Sequence, residues 1–257
     1  MGIDDTIESC FIFSILPGKT EKTKSFFREI RTEKAAEMDE YLRSTGYSRV
    51  LVFLQHMAIG DYIVAYLASG SDIGKSFMEC AGSSLPIART LIREIHSLTG
   101  VDITRLANAP KIDMLFDWED PVKQTEMQSD RYVFAMDILP GRTIELKRYW
   151  DQRKSVEFDE VKDHLRYQTI SKLLVFLQHR SDGDFLIQYL ESMDDLAGVF
   201  QKGTDPHIPR SHENVKEFLN FTGIDFSKPE NIPDLELIFD WDSDRGLPGG
   251  GKLEAHA

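Results

Sequence analysis

Cysteine is nearly absent: the 257 residues hold two, Cys10 and Cys80, and the second half has none. Two thiols at unrelated positions exclude a disulfide framework and a thiolate zinc site, and read as buried, reduced cysteines of a cytoplasmic protein. Basic residues are also scarce. Thirty Lys and Arg against 43 Asp and Glu leave a net charge of −13. Without a basic cluster to track phosphates, nucleic acid is not an expected partner. No apolar run is long. The stretch Val50–Leu54 is strand-sized, far short of the roughly 20 residues that cross a membrane, so no membrane span is expected. The opening Met-Gly-Ile-Asp-Asp-Thr has neither the basic nor the apolar part of a secretion signal. Gly2 with Thr6 fits a loose myristoylation pattern, but one acyl chain without a basic patch holds weakly, and the match reads as coincidence.

What the chain does contain is a duplication. Phe53-Leu54-Gln55-His56, followed by Gly60-Asp61, returns as Phe176-Leu177-Gln178-His179 and Gly183-Asp184. Leu16-Pro17-Gly18, Thr99-Gly100, Asp102 and Phe116-Asp117-Trp118 return as Leu139-Pro140-Gly141, Thr222-Gly223, Asp225 and Phe239-Asp240-Trp241, each 123 positions later. So many landmarks at one offset imply two copies of one domain, 1–121 and 122–245, with a polar linker at Glu119–Asp130 and a flexible Gly-rich tail at 246–257.

Within the first copy, Phe11–Leu16 reads as a strand stopped by Pro17-Gly18. Phe26, Phe27, Ile30, Met38, Tyr41 and Leu42 place one helix over Thr20–Arg43. Arg49–His56 and Asp61–Leu67 read as a hairpin, a second helical region breaks near Gly82–Pro86, and Ile112–Trp118 is a last strand. The second copy reads likewise: strand Tyr132–Leu139, a helix from Thr143 to about His164, hairpin Lys172–Leu190, a helix around Val215–Phe221 and strand Leu235–Trp241. The order is β-α-β-β-α-β, so the expected fold class is α+β: two tandem ferredoxin-like domains that cover each other's sheets as an intrachain pseudo-dimer, a pseudo-dimeric α+β barrel. A further homodimer stays open.

The string Ile15-Leu16-Pro17-Gly18-Lys19-Thr20-Glu21, the Leu54-Gln55 hairpin with Gly60-Asp61, Tyr66-Leu67, the Thr-Gly-x-Asp helix ending and the terminal Asp-Trp resemble an uncharacterised bacterial family of the dimeric α+β barrel superfamily. The resemblance implies a pocket between sheet and helices and a small, partly apolar ligand. Superfamily members include cofactor-free monooxygenases, isomerases, cyclases and haem enzymes. No catalytic motif of theirs matches here, and fold alone does not license a reaction.

Two kinds of residue are candidates for chemistry. His56 and His179 end equivalent strands, where a His near its ordinary pKa can act as acid or base, and Asp61 and Asp184 across the turn could orient the rings. An Asp that caps the turn explains the same residues without chemistry. That bland reading is preferred for the first copy and left open for the second. The differences between copies say more. Ser14, Tyr41, Ala65 and Arg89 become Asp137, His164, Gln188 and His212. Buried polar groups are costly unless bonded, so a polar pocket is expected in the second copy, holding Asp137, His179 and Gln188 with His164 and His212. The competing explanation has Asp137 and Gln188 bonding backbone between the halves. Trp118 and Trp241 read as packing, with Trp241 as a pocket wall the second option. His207 and His212 beside Asp205 and Glu213 match no ligand spacing, so no metal is expected, and haem through His179 or His212 has no attachment motif behind it.

The expectation is an enzyme acting on a small, partly apolar or aromatic metabolite by cofactor-independent acid–base chemistry, as an isomerase, cyclase or monooxygenase does. His179 would carry the proton, Asp184 or Asp137 orient it, and Gln188 fix the substrate, with His164, His212, Trp241 and His56 as lesser contacts. The alternatives are a non-catalytic small-ligand-binding or accessory protein, and a haem or metal enzyme.

Overall fold

The computed structural model describes residues 6–121, 129–208 and 210–247. Gly2, most of the expected linker and most of the expected tail lie outside them. In chain order the elements are β1 (Ile7–Ser14), α1 (Thr20–Thr32), α2 (Ala35–Ser44), β2 (Tyr47–Met57), β3 (Gly60–Ser69), α3 (Ile73–Gly82), α4 (Pro86–Thr99) and β4 (Lys111–Glu119). The second series is β5 (Asp130–Asp137), α5 (Thr143–Arg153), α6 (Phe158–Tyr167), β6 (Ile170–His179), β7 (Phe185–Ser192), α7 (Leu196–Gly203), α8 (Ser211–Thr222) and β8 (Asp234–Asp242). The fold class is the expected one, α+β with two four-stranded antiparallel sheets in tandem ferredoxin-like units.

Two expectations change in detail. Each long first helix is two helices, broken at Glu33-Lys34 in the first copy and between Arg153 and Phe158 in the second. A straight helix over Thr20–Arg43 would run about 36 Å, longer than the roughly 27 Å of an eight-residue strand such as β1, so the break keeps both apolar stretches over the sheet. Helix α7 is not anticipated by sequence reading; Asp195 caps it, accepting from the Gly198 N–H at 2.7 Å.

The chain forms two compact units, residues 1–111 with 234–257, and residues 112–233. Their sheets are ordered β1-β3-β2-β8 and β4-β6-β7-β5. The last strand of each sequence repeat therefore belongs to the other repeat's sheet, so repeat and compact unit are different sets of residues. Charges hold these exchanged strands in register. In the first unit Arg49 on β2 pairs with Asp240, at 2.9 Å, and with Asp242 on β8, while Lys24 on α1 reaches Glu236 at 2.5 Å. The second unit has the counterparts at the same offset: Lys172 with Glu119 at 3.4 Å, and Lys147 with Asp113 at 2.5 Å. In each sheet both faces are apolar and buried, as successive residues Cys10 to Phe13 and Val133 to Met136 show.

The twice-written hairpin motif is explained locally. Gly60 and Gly183 take positive φ, 142° and 138°, which a side chain would strain. The following Asp accepts from a helix-start threonine: Thr20 donates to Asp61, and Thr143 donates to Asp184 at 2.7 Å. The histidine ending the first hairpin strand lies against the same carboxylate, His56 Nδ1 at 2.7 Å and His179 Nδ1 at 3.1 Å. Each Thr–Asp–His set thus ties a hairpin turn to the first helix of its copy.

Candidate functional site

A cavity of about 120 Å³ lies in the second unit between its sheet and helices α5 to α8. Register decides which strand residues reach it. Phe134 on β5 and Leu173 on β6 are opposite Gln188 and Leu190 on β7, and all four line the cavity. From the helices come Tyr149, Trp150 and Arg153 at helical spacing i, i+1, i+4, then Val161, His164, Leu165 and Gln168 at i, i+3, i+4, i+7, and Asn214 with Phe218. The aromatic wall is continuous: Phe200 stacks on Phe226 with centroids 4.9 Å apart, Phe134 is 5.7 Å from Phe200, and Tyr149 is 6.2 Å from Phe218.

One polar chain crosses this apolar space. Arg153, at the end of α5, donates through Nη2 to Asn214 Oδ1 at 2.6 Å, and Asn214 Nδ2 lies 3.2 Å from His164 Nε2. Its direction follows from chemistry. Arginine can only donate, so the Asn214 oxygen faces it and the Asn214 NH₂ faces the imidazole. His164 Nε2 therefore accepts, and the neutral ring carries its hydrogen on Nδ1. That nitrogen is buried without a hydrogen-bond partner among the described residues, as are Arg153 Nε and Trp150 Nε1. Arg153 is 6% exposed, stacks over the Tyr149 ring at 4.2 Å, and has Glu157 as its ion-pair partner at 3.9 Å. Glu157 is shared with Arg210, which also binds Glu160 and Glu213. Gln188, 9% exposed, has no side-chain hydrogen bond among the described residues. Gln168 donates to the Val199 carbonyl at 3.2 Å, and it passes Gly203 so closely that a Cβ there would lie 2.1 Å from its Nε2.

Burial first, then the Arg153 charge, pulls the His164 pKa from its ordinary 6.5 to about 4. Tyr149 is pushed up to about 12 by burial, with Arg153 opposing, and stays a phenol. The lowered histidine value makes stability depend on pH. Between the two values the unfolded chain binds a proton at His164 and the folded chain does not. Stability is thus full above the ordinary value and falls as pH drops toward 4, by about 3 kcal/mol for a shift of this size. His164→Tyr, which installs the residue found at position 41, should shrink the stability lost between pH 7.5 and pH 5 in denaturant unfolding. Equal losses in the two proteins would count against this account.

No family model matches the chain, and no curated protein sequence matches it. Solved structures align with it along nearly its whole length. One named "putative monooxygenase", from Fusobacterium nucleatum, is 10% identical over 96% of this chain and 98% of its own, with a TM-score of 0.49. An "anthrone oxidase-like protein" is 13% identical over 99% and 98%, with a TM-score of 0.45. A second structure named as a monooxygenase of that kind, from Lactobacillus acidophilus NCFM, is 6% identical over 93% and 96%, with a TM-score of 0.43. At these values the fold rests on the strand order and element sequence described above.

Of the residues singled out in sequence, the structure brings His164 and Gln188 together in the cavity. The others lie outside its lining. His179 and Asp184 are in the hairpin tie, and the second ring nitrogen of His179 lies 3.3 Å from Asp113. Asp137 ends β5 one residue past Met136, so alternation turns it to the opposite face of the sheet, where burial raises its pKa against the pull of Arg180. His212 is exposed in the first turn of α8. Trp241 belongs to the first unit, its Nε1 donating to Asp39 at 2.8 Å, and His56 is in that unit's hairpin. Among the described residues no group of three or more His, Cys, Asp or Glu is placed to hold a metal ion.

Arg153 and Asn214 are not found by motif or charge pattern. The offset of 123 would have found them, because their counterparts are Ile30 and Leu91. In the first unit the equivalent positions are filled by buried Ile30, Tyr41, Ala65, Cys80 and Leu91, where the second has Arg153, His164, Gln188, Gly203 and Asn214. The two copies share a scaffold, and where one has packing the other has a polar chain.

Proposed function

We propose that the second unit binds a small, partly apolar or aromatic metabolite and that the chain is an enzyme acting on it by acid–base chemistry without a bound cofactor. The observation that carries this is the Arg153–Asn214–His164 chain in the lining of one cavity with Gln188, which has no side-chain hydrogen bond among the described residues, where the first copy has Ile30, Leu91, Tyr41 and Ala65; buried polar groups without partners are costly unless something else requires them. Neutral His164 and the Gln188 amide supply donors for a substrate oxygen. The Arg153 charge, little screened in an apolar cavity, favours the enolate or phenolate form of that oxygen over the neutral one. In this reading Asp137 and His212 have no part, and His179 with Asp184 serves the hairpin.

The test is turnover of a panel of aromatic ketones and phenols followed by absorbance. Gln188→Ala should lower kcat/KM at least tenfold, and His179→Ala should lower the Tm while sparing turnover. If His179→Ala instead abolishes turnover with melting unchanged, the proton carrier is at the hairpin and the cavity assignment is lost.

A further inference from the structure

We propose that the ligand of this cavity is a single-ring aromatic molecule bearing an anionic oxygen, a carboxylate or phenolate, with its ring on the aromatic wall and its oxygen toward Arg153, His164 and Gln188. The proposal rests on the reading above that the cavity is a small-molecule site, and adds the class of molecule. Three observations carry it.

The first is size. About 120 Å³ is somewhat below the roughly 150 Å³ of an apolar protein cavity that holds benzene, so the space is on the scale of a single ring and not of a fused system. The walls suit a flat ring: Phe134, Phe200, Phe218 and Phe226 contribute faces and edges.

The second is charge. The chain as a whole is strongly acidic, at −13, yet among the described residues lining the cavity Arg153 alone is charged and no carboxylate is present. Its one ion-pair partner among the described residues, Glu157, is 3.9 Å away and is shared with Arg210. A buried guanidinium with so distant a counter-charge favours an anion and opposes an ammonium.

The third is the sense of the hydrogen bonds. Arg153 only donates, and it fixes His164 in the form whose remaining ring nitrogen donates. Gln188, more than nine-tenths buried and unpartnered among the described residues, adds an amide. A site that offers donors selects an acceptor, and a carboxylate or phenolate is the strongest acceptor a small aromatic molecule can bring. At the corresponding first-unit positions Ile30, Tyr41 and Ala65 offer neither the charge nor the amide.

The experiment is calorimetric titration of the full chain with benzoate, benzamide and benzylamine, which share a ring and nearly a shape but differ in charge. Absorbance titration with 4-nitrophenol, whose colour reports its ionisation, separates phenolate from carboxylate. Benzoate or the nitrophenolate is expected to bind at least tenfold tighter than benzamide, with benzylamine not binding. Arg153→Ile should remove that preference, and Gln188→Ala should weaken the binding of benzoate at least tenfold while keeping its rank above benzylamine. Should Arg153→Ile fail to fold, the wild-type ranking and Gln188→Ala decide. Equal binding of benzoate and benzamide, or a preference for benzylamine, overturns the anion assignment and leaves the cavity as a ligand site. Failure of every ring probe to bind overturns the site itself.

Discussion

Arg153→Ile should lower turnover by a hundredfold or more and bring benzoate binding down to the level of benzamide, in a protein that still folds. The substitution installs the residue that the first copy carries at position 30, buried under the same helix in the same place. It removes the charge that polarises the cavity and the only group that fixes the direction of the Asn214–His164 hydrogen bond. Its effect on stability is expected to be small, because burying a guanidinium with one distant partner costs desolvation that a hydrophobic replacement avoids. What it leaves behind is the Asn214 oxygen without its donor, a penalty of about 1–3 kcal/mol if nothing else bonds it. Asn214→Leu, the residue at position 91, should relieve that penalty. The double variant is therefore expected to be more stable than the sum of the two single effects, by a coupling of about 1 kcal/mol or more in a double-mutant cycle. Additive effects would mean that the two side chains do not act as one unit. Turnover that survives Arg153→Ile would remove this cavity from the chemistry.

Arg49→Met should produce the largest loss of stability, about 3–5 kcal/mol in denaturant unfolding. Arg49 is 8% exposed and meets both Asp240 and Asp242, so its removal takes the guanidinium from Asp240 and leaves Asp242 with Arg245 at 3.5 Å and the Asp244 N–H at 2.9 Å. The Lys172 counterpart is an ammonium, without the guanidinium's fork, and it meets a more exposed carboxylate, Glu119, at 3.4 Å. Lys172→Met should cost well under half as much. Similar losses at the two positions would show that the exchanged strands are held by their apolar residues, with charge contributing little.

The fold was legible in the sequence because it is written twice. Strand, turn and helix residues recur at one spacing, and the hairpin motif marks its own turn through Gly60 and Gly183. The pairing of the last strands was not legible. Ile112–Trp118 and Leu235–Trp241 carry nearly the same apolar pattern, and β2 and β6 offer nearly the same edge, so local sequence cannot say which strand joins which sheet. The cavity was half legible. His164 and Gln188 stand out as polar residues where the first copy has Tyr41 and Ala65. Arg153 does not, because a basic residue closing a helix is ordinary end chemistry, and only its burial separates it from Arg31 or Arg43 on the first copy's helices. His179 drew attention by repetition, and repetition in both copies is what a turn tie gives as readily as a site.

The exchange of last strands also sets an order of events during synthesis. The sheet of the second unit draws on residues 111–192, so all its strands have been made before β8 begins at residue 234. The first unit is translated first, yet its sheet lacks an edge until residues 234–242 emerge. Of the two sheets, the one begun earlier is therefore the one completed later, and its open β2 edge has to wait for β8.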